Sequence, residues 1–164
     1  MEKEKLLKYV APCSLLCYTC MGCKDGAIPE YAGKLYNCMQ GVGEFRASHM
    51  PENAKQEWYS FFDGFMETLD NFTKATCPGC RVDPQHGSTI GDCIIPDCVK
   101  EHGVDFCAEC NEFPCQKAKN FCAGHTGLNK VWENNNRRIS EIGIEAYFEE
   151  NKDVSHYIHH KKAE

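Results

Sequence analysis

The sequence predicts a mainly α fold, with helices organised around irregular cysteine-rich metal-binding loops and little or no β structure. Three observations carry the prediction. Apolar residues recur at spacings of three and four through the middle and the end of the chain, which is the period of an amphipathic helix. No strand-like alternation lasts more than a few residues. Thirteen of the 164 residues are cysteine, and twelve of them fall in two clusters on either side of the helical middle.

The chain reads as one domain, 1–164, of four regions. Residues 13–26 hold Cys13, Cys17, Cys20 and Cys23 and close on Gly26. Residues 27–76 are helical in pattern. Ile28, Tyr31, Leu35 and Met39 share a face, Gly41 and Gly43 interrupt it, and a second helix starts after Pro51, a residue suited to a first helical turn. Its apolar positions are Trp58, Phe61, Phe62, Phe65, Leu69 and Phe72, a stripe expected in the core. Residues 77–122 hold Cys77, Cys80, Cys93, Cys98, Cys107, Cys110, Cys115 and Cys122, with a Gly- and Pro-containing loop from 82 to 92. Residues 127–151 return to helix, with Leu128, Val131, Trp132, Ile139 and Ile142 on one face. Gly143 breaks that face, and Ile144, Tyr147 and Phe148 follow. Cys38 stands apart from both clusters.

Four cysteine pairs are separated by two residues: Cys17/Cys20, Cys20/Cys23, Cys77/Cys80 and Cys107/Cys110. That spacing lets two thiolates reach one ion from a single tight turn, the way proteins hold tetrahedral zinc. In Cys77-Pro-Gly-Cys80 the Pro fixes the entry and the Gly opens the turn. Each such turn supplies two ligands and must find another pair. Disulfides are the first competing use, but residues 1–10 contain no apolar stretch of signal-peptide length and the cysteine count is odd. An iron–sulfur cluster is the second. Cys13-x3-Cys17-x2-Cys20 has the ligand spacing of radical enzymes, although a radical-enzyme barrel needs about 200 residues or more. Zn2+, two ions per chain, is therefore the expected cofactor, with an iron–sulfur cluster as the alternative.

Residues 77–122 carry few aromatic or aliphatic side chains, so burial alone cannot hold them together. Structural zinc contributes about 10–16 kcal/mol of apparent binding energy in small peptides, against about 5–15 kcal/mol for the stability of a whole domain. Metal then decides whether this region folds. The formal charge of −6 argues against a nucleic-acid partner, since no Lys/Arg stripe is visible. No stretch approaches the ~20 apolar residues of a membrane span. Many reduced thiols suit the cytoplasm. The partner class left open is protein.

The residues also match a known pattern. Cys13-Ser-Leu-Leu-Cys17-Tyr-Thr-Cys20, Cys77-Pro-Gly-Cys80-Arg81, and the run from Cys93 through Cys98 and Cys107-Ala-Glu-Cys110 to Cys115 resemble the cysteine-rich domain-of-unknown-function family 3795 (DUF3795) of bacteria and archaea. The segment from Trp132 to Tyr147 looks like that family's closing helix, so the resemblance covers nearly the whole chain. It implies metal binding and architecture but gives no reaction. The metal ligands it implies are Cys13, Cys17, Cys20, Cys77, Cys80, Cys93, Cys98, Cys107, Cys110 and Cys115. The chain departs from the pattern at Ile95-Pro96, where Ile-Arg is frequent, and at Gly91-Asp92, where a further cysteine often stands. Cys23, Cys38 and Cys122 are additions.

Ten thiols and four ligands per closed site allow two ions with two thiols to spare. The expected grouping puts Cys77, Cys80, Cys93 and Cys98 on one ion. Cys107, Cys110 and Cys115 then take a fourth ligand from Cys13, Cys17 or Cys20. The alternative pairs Cys77/Cys80 with Cys107/Cys110. His86 in the 82–92 loop is a candidate neutral ligand, and His102 and His125 are weaker ones. Asp105, Glu109 and Glu112 read as a solvated face. Arg81 is placed to offset thiolate charge, and Arg137 and Arg138 read as helix-surface ion pairs. A non-enzymatic interaction or regulatory module is the expected role, and thiol or iron–sulfur redox chemistry the alternative.

Overall fold

Leu6, Leu7 and Val10 lie on one side of a first helix that the apolar pattern did not single out. The computed structural model describes residues 2–84, 92–125 and 128–158, and all their side chains except those of 53–60 and 125. In it α1 spans Lys3–Tyr9. The helical middle becomes α2 (Ala27–Cys38), α3 (Val42–His49) and α4 (Glu52–Thr73). The second cysteine region, expected as loops, carries α5 (Ile95–Glu101), a 3-10 turn (Cys107–Glu109) and α6 (Gln116–His125). The closing helix is α7 (Asn129–Asn151). Among the described residues β structure is limited to two isolated bridges, Val10 with Leu16 and Cys23 with Cys77, as the mainly α reading expects.

Two small cores share α7. The first joins Leu6 and Val10 to Leu16, Phe106, Ile139, Tyr147 and Phe148. The second joins Ile95 and Val99 of α5 to Cys107, Ala118, Cys122 and Trp132. The α7 face read from the sequence is thus the buried one. Gly143 stands at φ +81°, outside helical geometry, and redirects the helix so that Tyr147 and Phe148 still reach the first core.

The α2–α4 aromatic stripe is a correction. Leu69 is buried, but Phe61 and Phe65 are exposed, as are Tyr31 and Leu35 on α2, whose buried residues are Ala27, Pro29 and Ala32. The side chain of Trp58 lies outside the described residues. The physical reason is length. At 1.5 Å per residue the 22 residues of α4 run about 33 Å and the 12 of α2 about 18 Å, so α2 can cover only part of α4. The short α3 covers a little more, and it buries none of its own residues.

Candidate metal centres

Residues 13–26 are folded as a chain of tight turns. Cys20 N–H donates to the Cys17 carbonyl (2.9 Å), Cys23 N–H to Cys20 (3.2 Å), and Gly26 N–H to Cys23 (3.0 Å). A Cβ on Gly26 would stand 2.6 Å from the Tyr18 carbonyl, so only glycine closes this loop. The loop then pairs with the Cys77 knuckle: Cys77 N–H donates to Gly22 O (2.9 Å) and Lys24 N–H to Cys77 O (3.1 Å). Gly79, at φ +91°, turns the knuckle. These bonds bring Cys17, Cys20, Cys23, Cys77 and Cys80 together. Burial raises the Cys17 thiol, and the surrounding Cys80, Cys23, Cys20 and Cys77 raise it further. Burial likewise pushes Cys80 up to about 11, with Arg81 pulling the other way.

Arg81 stands beside the first group and donates to backbone carbonyls rather than to the sulfurs. Its Nε donates to the Leu7 carbonyl (3.1 Å) and its guanidinium lies 4.7 Å from the Phe106 ring centroid. The charges acting on it are those of Cys80, Asp105, Cys13 and Cys17, while burial lowers its pKa. On the opposite side the C-terminal turn lies over the first loop. Tyr157 Oη accepts from Met21 N–H (3.1 Å) and lies 3.5 Å from Cys20 Sγ. Thr19 Oγ1 donates to Val154 O (2.8 Å).

A second group forms where α5, the 3-10 turn and the start of α6 meet. Cys98, Cys107, Cys110 and Cys115 all line one cavity of about 20 Å³, with Phe113 and Trp132 closing it. That volume suits a single water-sized particle. The Glu109 carboxylate fixes the 3-10 turn by accepting from Asp105 N–H (2.7 Å) and Phe106 N–H (3.2 Å), so it is a structural cap. Ala118 N–H points at Cys115 Sγ (3.5 Å). Burial pushes Cys107 up to about 12. The Trp132 indole N–H pulls it back, and Cys115, Cys98 and Cys122 add to the rise. Yet Trp132 Nε1 is buried without a hydrogen bond of proper geometry. It approaches the neutral thiol without completing a bond. Next to Cys98, His102 Nδ1 donates to the Cys98 carbonyl (2.8 Å) and lies 3.9 Å from its sulfur, with Glu112 3.7 Å from Nε2.

Cys13 and Cys93 line a cavity of about 40 Å³ with Cys122 and stay close to the first group: the charges of Cys80 and Cys17 act on Cys13, and that of Cys93 acts on Cys80. The Cys13 loop is fixed by α7. Asn136 Nδ2 donates to Ser14 Oγ (3.1 Å) and to Cys13 O (3.3 Å), Tyr147 O–H donates to Ser14 O (3.0 Å), and Ser14 sits at φ +75°. Cys107 N–H donates to Pro12 O (3.0 Å), which ties this loop to the second group.

Of the expected neighbours, Cys93 stays near Cys80 while Cys98 stands elsewhere. Cys98 lies with Cys107, Cys110 and Cys115, not with Cys77 and Cys80, because α5 begins between Cys93 and Cys98 and carries Cys98 away. Cys77 and Cys80 meet the N-terminal cysteines instead. Cys38 is exposed on α2. His86 lies outside the described residues, as does the side chain of His125. Arg137 pairs with Glu133 (2.8 Å) and Arg138 with Glu150 (2.6 Å), as helix-surface ion pairs.

Among the described residues no three Cys, His, Asp or Glu side chains already stand in the arrangement that would hold a metal ion. The donor chemistry nevertheless fits zinc. Each group offers four or more thiols from short turns, and the buried Trp132 N–H lacks the acceptor that a Cys107 thiolate would be. No described helix is long and apolar enough to cross a membrane.

A family model described as a protein of unknown function (DUF3795) matches residues 9–120, more than half of the chain and all the cysteines of both groups. No curated protein and no solved structure matches.

Proposed function

Since the chain belongs to DUF3795, a family without an assigned activity, we propose from its own residues that it is a zinc-organised, non-enzymatic interaction or regulatory module. One ion would sit among Cys17, Cys20, Cys77 and Cys80, with Cys23 beside them, and the other among Cys98, Cys107, Cys110 and Cys115. Cys13 and Cys93 are the two thiols to spare. The observation that carries the reading is the second group: four cysteines from three separate segments line one cavity of about 20 Å³, room for a single water-sized particle. Binding would draw the sulfurs inward by rotation about their Cα–Cβ bonds, between staggered positions. When bound, zinc supplies a closed four-sulfur centre with no open position for substrate.

The chain's residues serve that end. Arg81 offsets thiolate charge at the first centre, and Trp132 offers a hydrogen bond to the second. A thiol-transfer enzyme would need a depressed thiol pKa. The spare Cys13 and Cys93 are raised by burial, and Cys122 is pushed to about 11. Exposed apolar side chains on α2, α3 and α4 favour an interaction role. The reading assigns the protein to a reducing compartment such as the cytoplasm. Elemental analysis of protein purified without air tests it. The expected content is about two zinc per chain. Less than one zinc, with iron and sulfide present, would replace this reading with the iron–sulfur redox alternative.

A further inference from the structure

Between α3 and α4 runs an open groove of about 350 Å³, lined by Met39, Ala47, Phe62 and Met66 with Glu44 and Asp63 at its edge. Around it Phe45 is 63% exposed, Phe61 71% and Phe65 41%. Isolated helices as short as α3, at eight residues, are marginal in water and rely on packing. Yet α3 buries none of its residues, and its Phe45 stacks on its own His49 at 4.4 Å. Against the described residues its apolar side is left largely open, with Phe45 63% exposed.

The charge around the groove states what kind of cover fits. Residues 27–76 hold seven acidic and four basic residues, a net −3 within the chain's −6. Glu30 and Asp70 are neutralised by Lys34 and Lys74. Glu44 and Asp63, at the groove, and Glu67, one turn beyond Asp63, have no ion-pair partner among the described residues. Of the basic residues on α3, Arg46 contacts Met50 (3.5 Å) and His49 bonds the Phe45 carbonyl (2.8 Å). Flexible methionine side chains beside phenylalanine accept varied apolar shapes, and the carboxylates on the rim attract cations. A second copy of this chain would bring a net charge of −6 toward the same rim, and nucleic acid or an acidic membrane would meet the same repulsion.

We propose that the α3–α4 groove docks a basic amphipathic helix from a partner protein, its apolar face on Phe45, Phe62 and Met66 and its Lys or Arg residues against Glu44, Asp63 and Glu67. The inference deepens the interaction-module reading and is independent of the metal. The test uses the full chain and a fluorescein-labelled Leu/Lys peptide of about four helical turns, with leucines at spacings of three and four. A peptide of the same composition in scrambled order serves as control. Fluorescence anisotropy is expected to show saturable binding of the first peptide. The triple variant E44K/D63K/E67K should weaken it about tenfold or more, as should raising NaCl from about 0.05 to about 0.5 M, while F45A weakens it at low salt too. All the substituted side chains are at least partly exposed, so circular dichroism and zinc content should match the parent. Absence of binding, equal binding of the scrambled peptide, or insensitivity to the charge reversal overturns the proposal. So does a dimer, seen by sedimentation, that F61E dissolves. If elemental analysis overturns the metal reading, saturable peptide binding by that same preparation would still support this one.

Discussion

Replacing Trp132 by Phe separates a packing role from a role at the metal. Trp132 is 3% exposed and its ring meets Phe113 edge-on at 5.2 Å. In the metal-free protein the indole N–H is buried without a bonded acceptor, a defect that costs about 1–3 kcal/mol. Phenylalanine removes the defect but leaves a smaller ring and a void worth about 1–2 kcal/mol. The two changes nearly offset, so metal-free stability should shift by less than about 1 kcal/mol. With zinc bound the N–H faces a Cys107 thiolate, and a bond to a charged acceptor contributes about 1.5–3 kcal/mol. W132F should therefore weaken zinc at the second centre by about ten- to a hundredfold, and leave the first centre unchanged. The assay is competition with a chromogenic chelator, resolved into two binding steps. Ile139→Val supplies the control: Ile139 is 5% exposed in the other core, and its truncation costs about 0.5–1.5 kcal/mol with or without metal. If W132F weakens zinc no more than I139V does, or affects both ions equally, the reasoning about Trp132 is refuted.

Two further outcomes follow from the electrostatics. Burial holds Cys80 at about 11 and Cys107 at about 12, so both are protonated at neutral pH before metal arrives. Zinc binding should then release protons and weaken as pH falls, which calorimetry in buffers of different ionisation enthalpy measures; zero release contradicts this. Glu133 is held below its ordinary 4.5 by Arg137 and then Lys119. A depressed carboxylate stabilises above its unfolded pKa and loses that contribution as pH falls through the folded value. The melting curves of parent and Glu133→Gln should differ at neutral pH and converge below pH 4.5. A gap that persists in acid would show that Glu133 acts by packing.

The parts of the fold legible in the sequence are those where helical period and burial coincide. On α7 the apolar face from Trp132 through Ile139 to Phe148 sees core along its length, so spacing located both the helix and its inner side. On α4 the same period marks a helix but misassigns its surroundings, because α2 and α3, the helices packed on it, are too short to cover Phe61 and Phe65. Helix α5 was hidden. Seven residues make fewer than two full turns in all, and Pro96 and Cys98 occupy two of the seven positions. That omission is why the sequence reading sets Cys98 beside Cys77 and Cys80. Cys93 and Cys98 look adjacent along the chain, but loop-closure entropy varies slowly with length, so nearness in sequence is a weak guide to partners. The knuckles themselves were readable, since a pair two residues apart has one geometry whatever lies beyond it. Trp132 was read as apolar surface only. A buried indole needs a partner for its N–H, and asking which partner was the signal that pointed to Cys107.

The central claim is that thiols from distant segments close into two four-sulfur zinc centres. X-ray absorption at the zinc edge, on the full chain loaded with two equivalents of zinc, tests this most directly. The account predicts a single shell of about four sulfurs at about 2.3 Å. Substituting Cys98 with serine should lower the mean sulfur count while leaving one centre intact, because the first group does not use that residue. A shell dominated by nitrogen or oxygen near 2.0–2.1 Å, or a spectrum that the Cys98 substitution leaves unchanged, would contradict it.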